Sequence, residues 1–372
     1  MTRKQESGGS NTKSAAAVRH LRNQIDKLDS HILKLLNERA SHAAEIGKVK
    51  NEHGSDIFSP VREEEVIQNV LQANKGPLDA NCIRAIFREL MSGSRALQRI
   101  LKVAYLGPEY SFSHLAAIEK FGSSIDFLRV GTIASVFEEV NRGHSDYGVV
   151  PLENSTDGRI ADTLDMFTRL PQIKISAEVR LRIHHNLLAN CPQPEIRRIY
   201  SKPQALSQCR NWLSKNVPHA QLVEVASTAV AAELAQREPG AAAVASRQAA
   251  SKYGLNILFS DIEDFPNNET RFAVIGLEAA EKSGRDRTAV MFQTPHQPGA
   301  LVDALNVFKN NKVNLSWIES FPARSAKQEY VFFVDFEGHM EDAKVKKTLD
   351  ALDKHCDKVV VLGSFTMSDL IE

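Results

Sequence analysis

The sequence predicts a multidomain protein in which an all-α helical domain, a two-lobed α/β domain and an α+β ferredoxin-like domain follow one another. The first part repeats apolar residues at steps of four and three, the middle alternates short apolar runs with helical patterns, and the last part reads βαββαβ. The predicted boundaries are a disordered tail over 1–14, the helical domain over 15–101, the two-lobed domain over 102–277, a linker over 278–286 and the ferredoxin-like domain over 287–372.

Composition excludes several classes of function. The 372 residues carry 46 basic and 46 acidic side chains, so the global charge does not favour a nucleic acid or an anionic membrane as partner. The four cysteines form no CxxC pair, which supports neither a zinc site nor a disulfide framework and is typical of a reducing cytoplasm. The N-terminus lacks the apolar core of a signal peptide, and no apolar run approaches the roughly 20 residues that span a bilayer. We therefore expect a cytoplasmic protein without a membrane segment.

A heptad pattern governs the first predicted helix, which runs without proline from Val18 to Lys50, and two more helices are predicted over 61–74 and 79–98. The apolar heptad positions are Leu21, Ile25, Leu28, Ile32 and Leu35. The same count then reaches Arg39, where a buried charge is costly unless it is paired. Its partner is either a glutamate on a neighbouring helix, in a structural ion pair, or an anionic ligand.

Two long cationic side chains of this helix can reach one small anion. Lys50 lies three turns beyond Arg39, about 16 Å by helical rise. Arg22 is about 42 Å from Lys50 on the same helix, which is too far. If two copies pair antiparallel about Leu35, however, Arg22 of the partner subunit approaches residue 48. A two-fold homodimer would therefore gather all three cations around one pocket.

The helical domain resembles the all-helical chorismate mutases. The resemblance rests on the segments LRNQIDKLDSHILKLLNERA, GKVK, PVREEEV and ALQ, whose spacing agrees over about 80 residues. It implies that Arg22 of the partner subunit and Arg39 hold the two substrate carboxylates, that Lys50 and Gln98 donate to the ether oxygen, and that Glu63 accepts from the ring hydroxyl, with Arg62 and Ser94 close by. Ser59 stands where some relatives have aspartate.

These residue types suit the Claisen rearrangement of chorismate to prephenate, which needs no acid, base or covalent intermediate. The enzyme must hold a flexible dianion in its reactive fold, and positioning of this kind lowers a barrier by up to roughly 7–11 kcal/mol. It must also aim donors at the oxygen that gains negative charge, where one preorganised donor contributes about 3–4 kcal/mol. Lys50 and Gln98 are the candidate donors.

The middle domain repeats a pattern at an interval of 95 residues. VAYLGP at 103–108 precedes RIYSKP at 198–203 by that distance, as VGT at 130 precedes VAST at 225. Each half reads strand, helix, strand, helix, strand with largely parallel pairing, which predicts two like lobes around a cleft, as in periplasmic solute-binding proteins. Polar groups follow the strands, where open α/β sheets present ligand-binding side chains. They include Ser111, which is either an ordinary N-cap or an anion-binding group, and Glu153, Asn154, Ser201, Gln208, Ser227 and Thr228.

This domain resembles prephenate dehydratase over its whole length, with GPEYSFSH, VVPLENSTDG, YSKPQALSQC and NNETRF as the diagnostic pieces. The resemblance implies that Thr270 is the general acid that protonates the leaving ring hydroxyl, so that water and CO2 leave together and aromatisation drives the reaction. Arg271 would hold a substrate carboxylate or orient the loop. Asn154, Ser201 and Gln208 would position the substrate, with Glu153 nearby. The residues alone also allow Thr270 to be a strand-edge threonine bonded to its own loop.

The last domain resembles the ACT amino-acid-binding domain through HQPGALVDAL and WIESFP. Gly299, Ala300 and Leu301 lie in the first motif, where the backbone can approach a small ligand at a helix start. Glu319 and Ser320 lie in the second, which usually reads Glu-Ser-Arg-Pro in relatives. Here a phenylalanine at 321 replaces the guanidinium that could pair with an anion. The resemblance implies L-phenylalanine as an effector; the alternative is a dimerisation module that no longer senses a ligand.

Together these resemblances identify the chain as a member of the bifunctional chorismate mutase/prephenate dehydratases of phenylalanine biosynthesis. The implied substrates are chorismate and prephenate, the expected assembly is a homodimer, and no metal, nucleotide or flavin cofactor is expected. Two alternatives remain open. Only one of the two sites is active, or the chain is a non-catalytic two-lobed protein that binds a small anion.

Overall fold

The computed structural model describes residues 8–52, 58–156, 158–322 and 330–371. The helices are α1 (Gly8–Glu52), α2 (Pro60–Ala73), α3 (Ala80–Ala96), α4 (Phe112–Phe121), α5 (Ile133–Asn141), α6 (Ala161–Arg169), α7 (Pro203–Gln208), α8 (Arg210–Asn216), α9 (Thr228–Arg237), α10 (Arg247–Tyr253), α11 (Ala300–Asn310) and α12 (Ala343–Asp353). The strands are β1 (Lys102–Leu106), β2 (Asp126–Val130), β3 (Tyr147–Asn154), β4 (Gly158–Arg159), β5 (Lys174–Arg182), β6 (Asn186–Ala189), β7 (Arg198–Ser201), β8 (Gln221–Glu224), β9 (Ala241–Ala245), β10 (Asn256–Phe259), β11 (Glu269–Gly276), β12 (Asp286–Gln293), β13 (Leu315–Pro322), β14 (Tyr330–Glu337), β15 (Lys358–Thr366) and β16 (Leu370–Ile371).

Three helices form the N-terminal domain, as the heptad pattern and the turn residues predict. Ser59 caps α2 by accepting from the backbone of Arg62, and Asp79 caps α3 by accepting from the backbone of Cys82. The tail predicted for residues 1–14 is wrong from residue 8 onward, because α1 already begins at Gly8. Residues 1–7 lie outside the described part of the chain.

Two lobes form the middle of the chain, each around one sheet. Lobe 1 has the strand order β16-β5-β11-β3-β1-β2, with β4 attached to β3. Lobe 2 has the order β10-β6-β9-β7-β8. The chain crosses between the lobes twice, from β5 to β6 and from β10 to β11, so two connections link the two sheets.

The predicted repeat is confirmed by the strand pairing. In lobe 1, β1 lies between β2 and β3 and is parallel to both, and in lobe 2, β7 lies between β8 and β9 in the same way. The expectation of largely parallel pairing is wrong outside these cores. β11 returns from lobe 2 and inserts antiparallel between β3 and β5, and β6 and β10 are antiparallel as well.

The C-terminal domain has the predicted βαββαβ order, with an antiparallel sheet of order β13-β14-β12-β15. One face of this sheet shares a hydrophobic core with lobe 1: Met291, Phe333 and Phe365 belong to the same buried cluster as Ile175 and Ala273. The contact is close at Gly363, where a Cβ would lie 2.3 Å from the carbonyl oxygen of Ile175. After β15 the chain returns to lobe 1, and β16 pairs with β5.

Among the described residues, no helix is both long and apolar enough to cross a membrane.

Candidate active sites

Arg39 is the centre of the polar group in the helical domain. It lies half-buried on α1, and its Nη1 donates a 3.1 Å hydrogen bond to Oγ of Ser94, a buried residue of α3. Ser94 in turn donates to the carbonyl of Leu90 at 2.7 Å, which fixes its hydroxyl. Burial lowers the pKa of Arg39, and the nearby Glu63 carboxylate opposes this effect. No carboxylate of the described residues lies at ion-pair distance from Arg39, so the structural ion pair considered above is not formed there.

The first turn of α2 supplies one carboxylate to this group. Glu63 forms an ion pair with Nη1 of Arg95, a buried residue of α3. The guanidinium of Arg62 is exposed instead and pairs with Glu65 at 2.9 Å. The hydroxyl of Ser59, at the position where some relatives have aspartate, is occupied by capping α2. The structure thus brings Glu63 to the pocket and leaves Arg62 in solvent.

The predicted donors meet at the C-terminal half of α1, which carries Lys50 and is contacted by Gln98 from the end of α3. Lys50 is half-buried near the end of the helix. Nε2 of Gln98 donates to the carbonyl of Ala43 at 2.8 Å, and its side chain covers Gly47, where a Cβ would lie 2.3 Å from the amide oxygen. In a single chain the Gln98 amide is therefore held by α1, and glycine at position 47 gives it the room to lie there.

In a single chain, the apolar face of α1 from Leu21 to Leu35 packs against no other described element. Its apolar heptad residues are 52–62% exposed: Leu21, Ile25, Leu28, Ile32 and Leu35. Arg22 lies among them and is also exposed. A contiguous row of large apolar side chains in water is unfavourable and marks an interaction surface. One chain thus supplies Arg39 and Lys50, while its Arg22 belongs to a separate, uncovered surface.

Thr270 and Asn154 face each other at the mouth of lobe 1. Both are largely buried and form a register pair between β11 and β3, and Nδ2 of Asn154 donates to Oγ1 of Thr270 at 2.8 Å. The same Nδ2 lies 3.0 Å from Oδ1 of Asn268, whose own Nδ2 donates to Oε1 of Gln208 at 2.9 Å. Nε2 of His185 lies 2.8 Å from that oxygen. A continuous hydrogen-bond network therefore runs from Thr270 in lobe 1 to Gln208 on α7 in lobe 2.

Glu269, the first residue of β11, is bonded to Ser155 and to Arg180, and these bonds hold this network in place. The backbone N–H of Glu269 donates to Oγ of Ser155 at 2.9 Å, and the Ser155 N–H donates to the Glu269 carbonyl at 2.9 Å. The Glu269 carboxylate accepts from Arg180 on β5 at 2.9 and 3.0 Å. These bonds tie Ser155, the neighbour of Asn154, to the start of β11, which holds the Asn154 amide beside Thr270.

Arg271 requires a correction. Alternate side chains of a strand point to opposite faces, and Arg271 leaves β11 on the face opposite to Thr270. Its Nε donates to Oε2 of Glu178 at 2.7 Å and its Nη2 pairs with Asp335 of the C-terminal domain. All three side chains are buried, and the guanidinium lies 5.8 Å from the ring centre of Trp317. Arg271 therefore does not contact the Thr270 network. In this arrangement it cannot bind a substrate carboxylate in the cleft, and of its two predicted roles only that of orienting the loop remains.

Glu153 also faces the C-terminal domain. It is the register partner of Arg271, and burial raises its pKa while the Arg271 charge opposes that effect. The neighbouring hairpin strand β4 carries Arg159, whose Nη1 donates to Glu319 of β13 at 3.0 Å. Glu319 is predicted to lie in an effector-binding motif, and here it is paired with lobe 1. Two residues flanking the cleft thus contact the C-terminal domain directly.

The remaining hydroxyl residues have mainly backbone partners. Ser111 and Ser227 are the N-caps of α4 and α9, where each accepts from the backbone N–H three residues ahead, at 3.4 and 3.1 Å. This geometry supports the ordinary-cap interpretation of Ser111. Ser201 is fully buried and donates to the carbonyl of Val244 at 2.6 Å. Thr228 is buried as the first residue of α9.

An open groove of about 260 Å³ lies beside the first motif of the C-terminal domain. Gly299, Ala300 and Leu301 line it together with His296 and Tyr330. Gly299 has φ +88°, a conformation that favours glycine, and it starts α11 there. Neither Glu319 nor Ser320 belongs to the lining, and Ser320 is exposed. In one chain the two predicted regulatory motifs are therefore separate.

Several residues of these sites were not predicted from the sequence. Asn268 lies in the polar NNET stretch, but the sequence alone assigns it no role. His185 belongs to a pair of histidines between two apolar strands, and this pattern does not indicate a hydrogen-bond partner. Glu178 and Asp335 are isolated acids within apolar strands, and a buried acid needs a cation. That signal indicates a partner without saying which one. Arg95 is the equivalent case in α3.

Two family models match the chain. The model described as chorismate mutase type II matches residues 21–99, which contain the Arg39 group. The model described as prephenate dehydratase matches residues 103–280, which contain the Thr270 network. Both matched ranges end before the C-terminal domain begins.

Relatives extend over nearly the whole chain. A bifunctional chorismate mutase/prephenate dehydratase of Aquifex aeolicus is 42% identical over 360 residues, covering 95% of this chain and 99% of the relative. One of Pseudomonas aeruginosa is 41% identical over 355 residues, covering 94% and 97%. A crystal structure of prephenate dehydratase from Arthrobacter aurescens in complex with L-Phe is 31% identical with a TM-score of 0.67, covering 72% of this chain and 90% of that one.

Fold, sites and relatives together define an enzyme with one mutase domain and one dehydratase domain. The chain belongs to the bifunctional chorismate mutase/prephenate dehydratases, the enzymes of phenylalanine biosynthesis.

Proposed function

We propose that the helical domain rearranges chorismate to prephenate at the Arg39 group, and that the cleft dehydrates prephenate to phenylpyruvate at Thr270. The observation that carries this assignment is the bond between Asn154 and Thr270. A hydroxyl has one donor and two acceptor positions. Because the Asn154 amide donates to Oγ1 at 2.8 Å, the threonine proton remains available for a ligand in the cleft.

In the dehydratase step, Thr270 gives its proton to the leaving ring hydroxyl, which departs as water while the ring carboxylate leaves as CO2. The electrons of the broken C–C bond complete the aromatic ring. Threonine is a weak acid, so geometry matters more than its pKa. The Asn154 amide supports the developing alkoxide, since a donor aimed at Oγ1 stabilises negative charge there. Gln208 extends this support from the opposite lobe through Asn268.

The test is Thr270→Ala, assayed for phenylpyruvate formation and chorismate loss on the same protein. Proton transfer by a positioned side chain contributes about 10²–10⁴-fold, so dehydration should fall by that factor while mutase turnover is retained. Thr270→Ser keeps the hydroxyl and should retain part of the rate. Parental dehydration by the alanine variant would rule out Thr270 as the acid.

For the mutase site we propose a dimer in which the exposed heptad rows of two α1 helices cover each other. This arrangement brings Arg22 of the partner subunit to the pocket with Arg39, Lys50 and Ser94. Arg39 is suited to a substrate carboxylate because it is half-buried and lacks a carboxylate partner among the described residues. Lys50 and Gln98 remain the proposed donors to the ether oxygen, which requires the Gln98 amide to leave the Ala43 carbonyl when chorismate binds.

Subunit complementation tests this shared site. Arg22→Ala and Arg39→Ala should each abolish mutase turnover in pure form. After the two variants are denatured and refolded together, mixed dimers have one site with both arginines intact, so about a quarter of all sites should be active. A mixture as inactive as its components would show that Arg22 and Arg39 serve the same chain.

The C-terminal domain is proposed to be an ACT domain that binds L-phenylalanine in the groove beside Gly299. The relative from Arthrobacter aurescens was crystallised with L-Phe, and the groove is of a size for a small ligand. Phe321 packs against the core shared with lobe 1, which explains an apolar residue where relatives carry arginine. Calorimetric titration with L-phenylalanine should give heat and lower the dehydratase rate. No heat and no inhibition would favour the dimerisation module.

The proposed compartment is the cytoplasm, with which the four unpaired cysteines are consistent.

A further inference from the structure

Arg95 connects the mutase pocket to the dehydratase lobe. Its side chain is buried, and Nη1 forms the ion pair with Glu63 in the first turn of α2. Nη2 of the same guanidinium donates to the carbonyl of Phe121, the last residue of α4 in lobe 1. One planar group therefore binds a carboxylate of one domain and a helix terminus of the other.

The anchor in lobe 1 suits a cation. The last carbonyls of a helix have no partner within the helix and carry partial negative charge, which favours a guanidinium. The Arg95 carbon Cζ also lies 5.2 Å from the ring centre of Phe58. Phe58 is buried and packs against Phe121 and Tyr147 at 4.8 and 5.1 Å between ring centres. Arg95 is therefore held by the end of α4 and by the Phe58 ring in addition to Glu63.

Glu63 has two further cations within its influence. Its charge acts on Arg39 and on Lys120 of α4, where it opposes the effect of burial, and Lys120 lines the same cavity as Glu63. A carboxylate released from Arg95 would be drawn towards these two cations, since opposite charges in a partly buried site attract strongly. An ion pair between Glu63 and Arg39 would occupy the guanidinium that is needed for a substrate carboxylate. Arg62 offers no alternative, because it is exposed and paired with Glu65.

We propose that Arg95 is a positioning residue of the mutase site: anchored on the end of α4, it holds the Glu63 carboxylate in place for the substrate hydroxyl and away from Arg39. This inference rests on the substrate contacts proposed above for Glu63 and Arg39. It makes chorismate binding depend on the dehydratase lobe through one side chain. Arg95 acts through Glu63 and does not touch the substrate.

The experiment is steady-state mutase kinetics on the full-length chain with Arg95→Gln, Glu63→Gln and the double variant. Arg95→Gln should raise KM for chorismate about tenfold, the lower range of what a hydrogen bond to a charged group contributes, and change kcat less than threefold. Adding Arg95→Gln to Glu63→Gln should raise KM by less than twofold, since coupled residues are not additive. Arg95→Lys keeps the charge, but a lysine cannot bind Glu63 and the Phe121 carbonyl at once as the planar guanidinium does. Its KM for chorismate should lie between those of the parent and of Arg95→Gln.

Arg88→Gln is the matched control. Arg88 also lies on α3 and bridges to α4, through Glu119, but it does not contact Glu63. It should leave KM for chorismate unchanged. Dehydratase turnover of every variant, measured on the same sample, reports whether lobe 1 is folded.

Three results would overturn the role of Arg95: parental KM in Arg95→Gln, an additive double variant, or an equal rise in KM for Arg88→Gln. They differ from a failure of the underlying function. If Glu63→Gln itself has parental KM, then the proposed role of Glu63 is wrong and the role of Arg95 is lost with it. If Arg95→Gln reduces dehydratase turnover, then Arg95→Lys decides, and a lysine variant with normal dehydration and parental KM overturns the proposal.

Discussion

Replacing Arg271 by methionine should destabilise the unit formed by lobe 1 and the C-terminal domain by about 3–5 kcal/mol, the cost of leaving a buried ion pair without one partner. Arg271 is 6% exposed and stands between Glu178 and Asp335, which are 3% and 1% exposed. Glu178 would keep Arg287 at 3.3 Å and the backbone N–H of Ser368 at 3.0 Å. Asp335 would lose its ion-pair partner, so most of the cost arises there.

The loss should depend on pH in one direction. Burial raises the pKa of Asp335, and Arg271 opposes that effect. Without the arginine, the folded state takes up a proton at Asp335 more readily than the unfolded state does. Stability then falls as pH rises, because the native state binds more protons. The difference between variant and parent should therefore be largest near about pH 8 and shrink as the pH falls towards the ordinary range of aspartate.

Urea unfolding followed by the fluorescence of Trp317 measures this effect. The chain has two tryptophans, and Trp212→Phe in both proteins leaves only the indole beside Arg271. Arg180→Met is the matched control. Arg180 forms an arginine–glutamate pair with Glu269 in the same sheet, but about a third of each side chain is exposed, so the cost should stay below about 1 kcal/mol. A variant of Arg271 that is as stable as the parent, or one whose deficit grows on acidification, would refute the reasoning.

Three smaller predictions follow from single positions. Phe58→Ala empties a buried position against Phe121 and Tyr147 and should cost about 3–5 kcal/mol in the free energy of unfolding, measured by circular dichroism; a loss below 1 kcal/mol would contradict this packing. Gly299→Val forces a branched residue to φ +88° and should weaken calorimetric binding of L-phenylalanine, whereas unchanged heat would place the ligand elsewhere. Burial raises the pKa of the Cys209 thiol, so iodoacetamide should leave it unmodified in the folded chain by mass spectrometry; rapid alkylation would contradict its burial.

The helices and the repeat could be predicted because their signals are local. The heptad from Leu21 to Leu35 depends on spacing along one helix, and the 95-residue interval depends on two copies of one strand–helix pattern. The position of Thr270 beside Asn154 could be expected only through the family motifs, since their register pairing joins strands 116 residues apart in sequence. Local patterns carry no information about such pairing.

The direction of Arg271 could not be predicted for a related reason. Alternation along a strand assigns Thr270 and Arg271 to opposite faces, but it does not say which face meets the cleft. That choice is made by the C-terminal domain, whose sheet packs on lobe 1 and brings Asp335 to the outer face of β11. The same packing explains Phe321, which fills an apolar contact instead of carrying a charge.

Lobe 1 shares a hydrophobic core with each of the other two domains, whereas lobe 2 shares a core with neither of them. The C-terminal domain shares a buried cluster with lobe 1, and Phe58 of the helical domain belongs to the second lobe 1 cluster. The two clusters of lobe 2 contain residues from 187 to 262 alone. Opening the cleft by moving lobe 1 would disrupt two extensive interfaces. Moving lobe 2 stretches the two crossings, the bonds around Gln208 and the contacts of Lys252 with Glu109 and Tyr110. The C-terminal domain contacts lobe 1 through Arg159 and Arg271. The effector proposed above would therefore act on the half of the cleft that carries Thr270 and Asn154, without a need to separate the lobes.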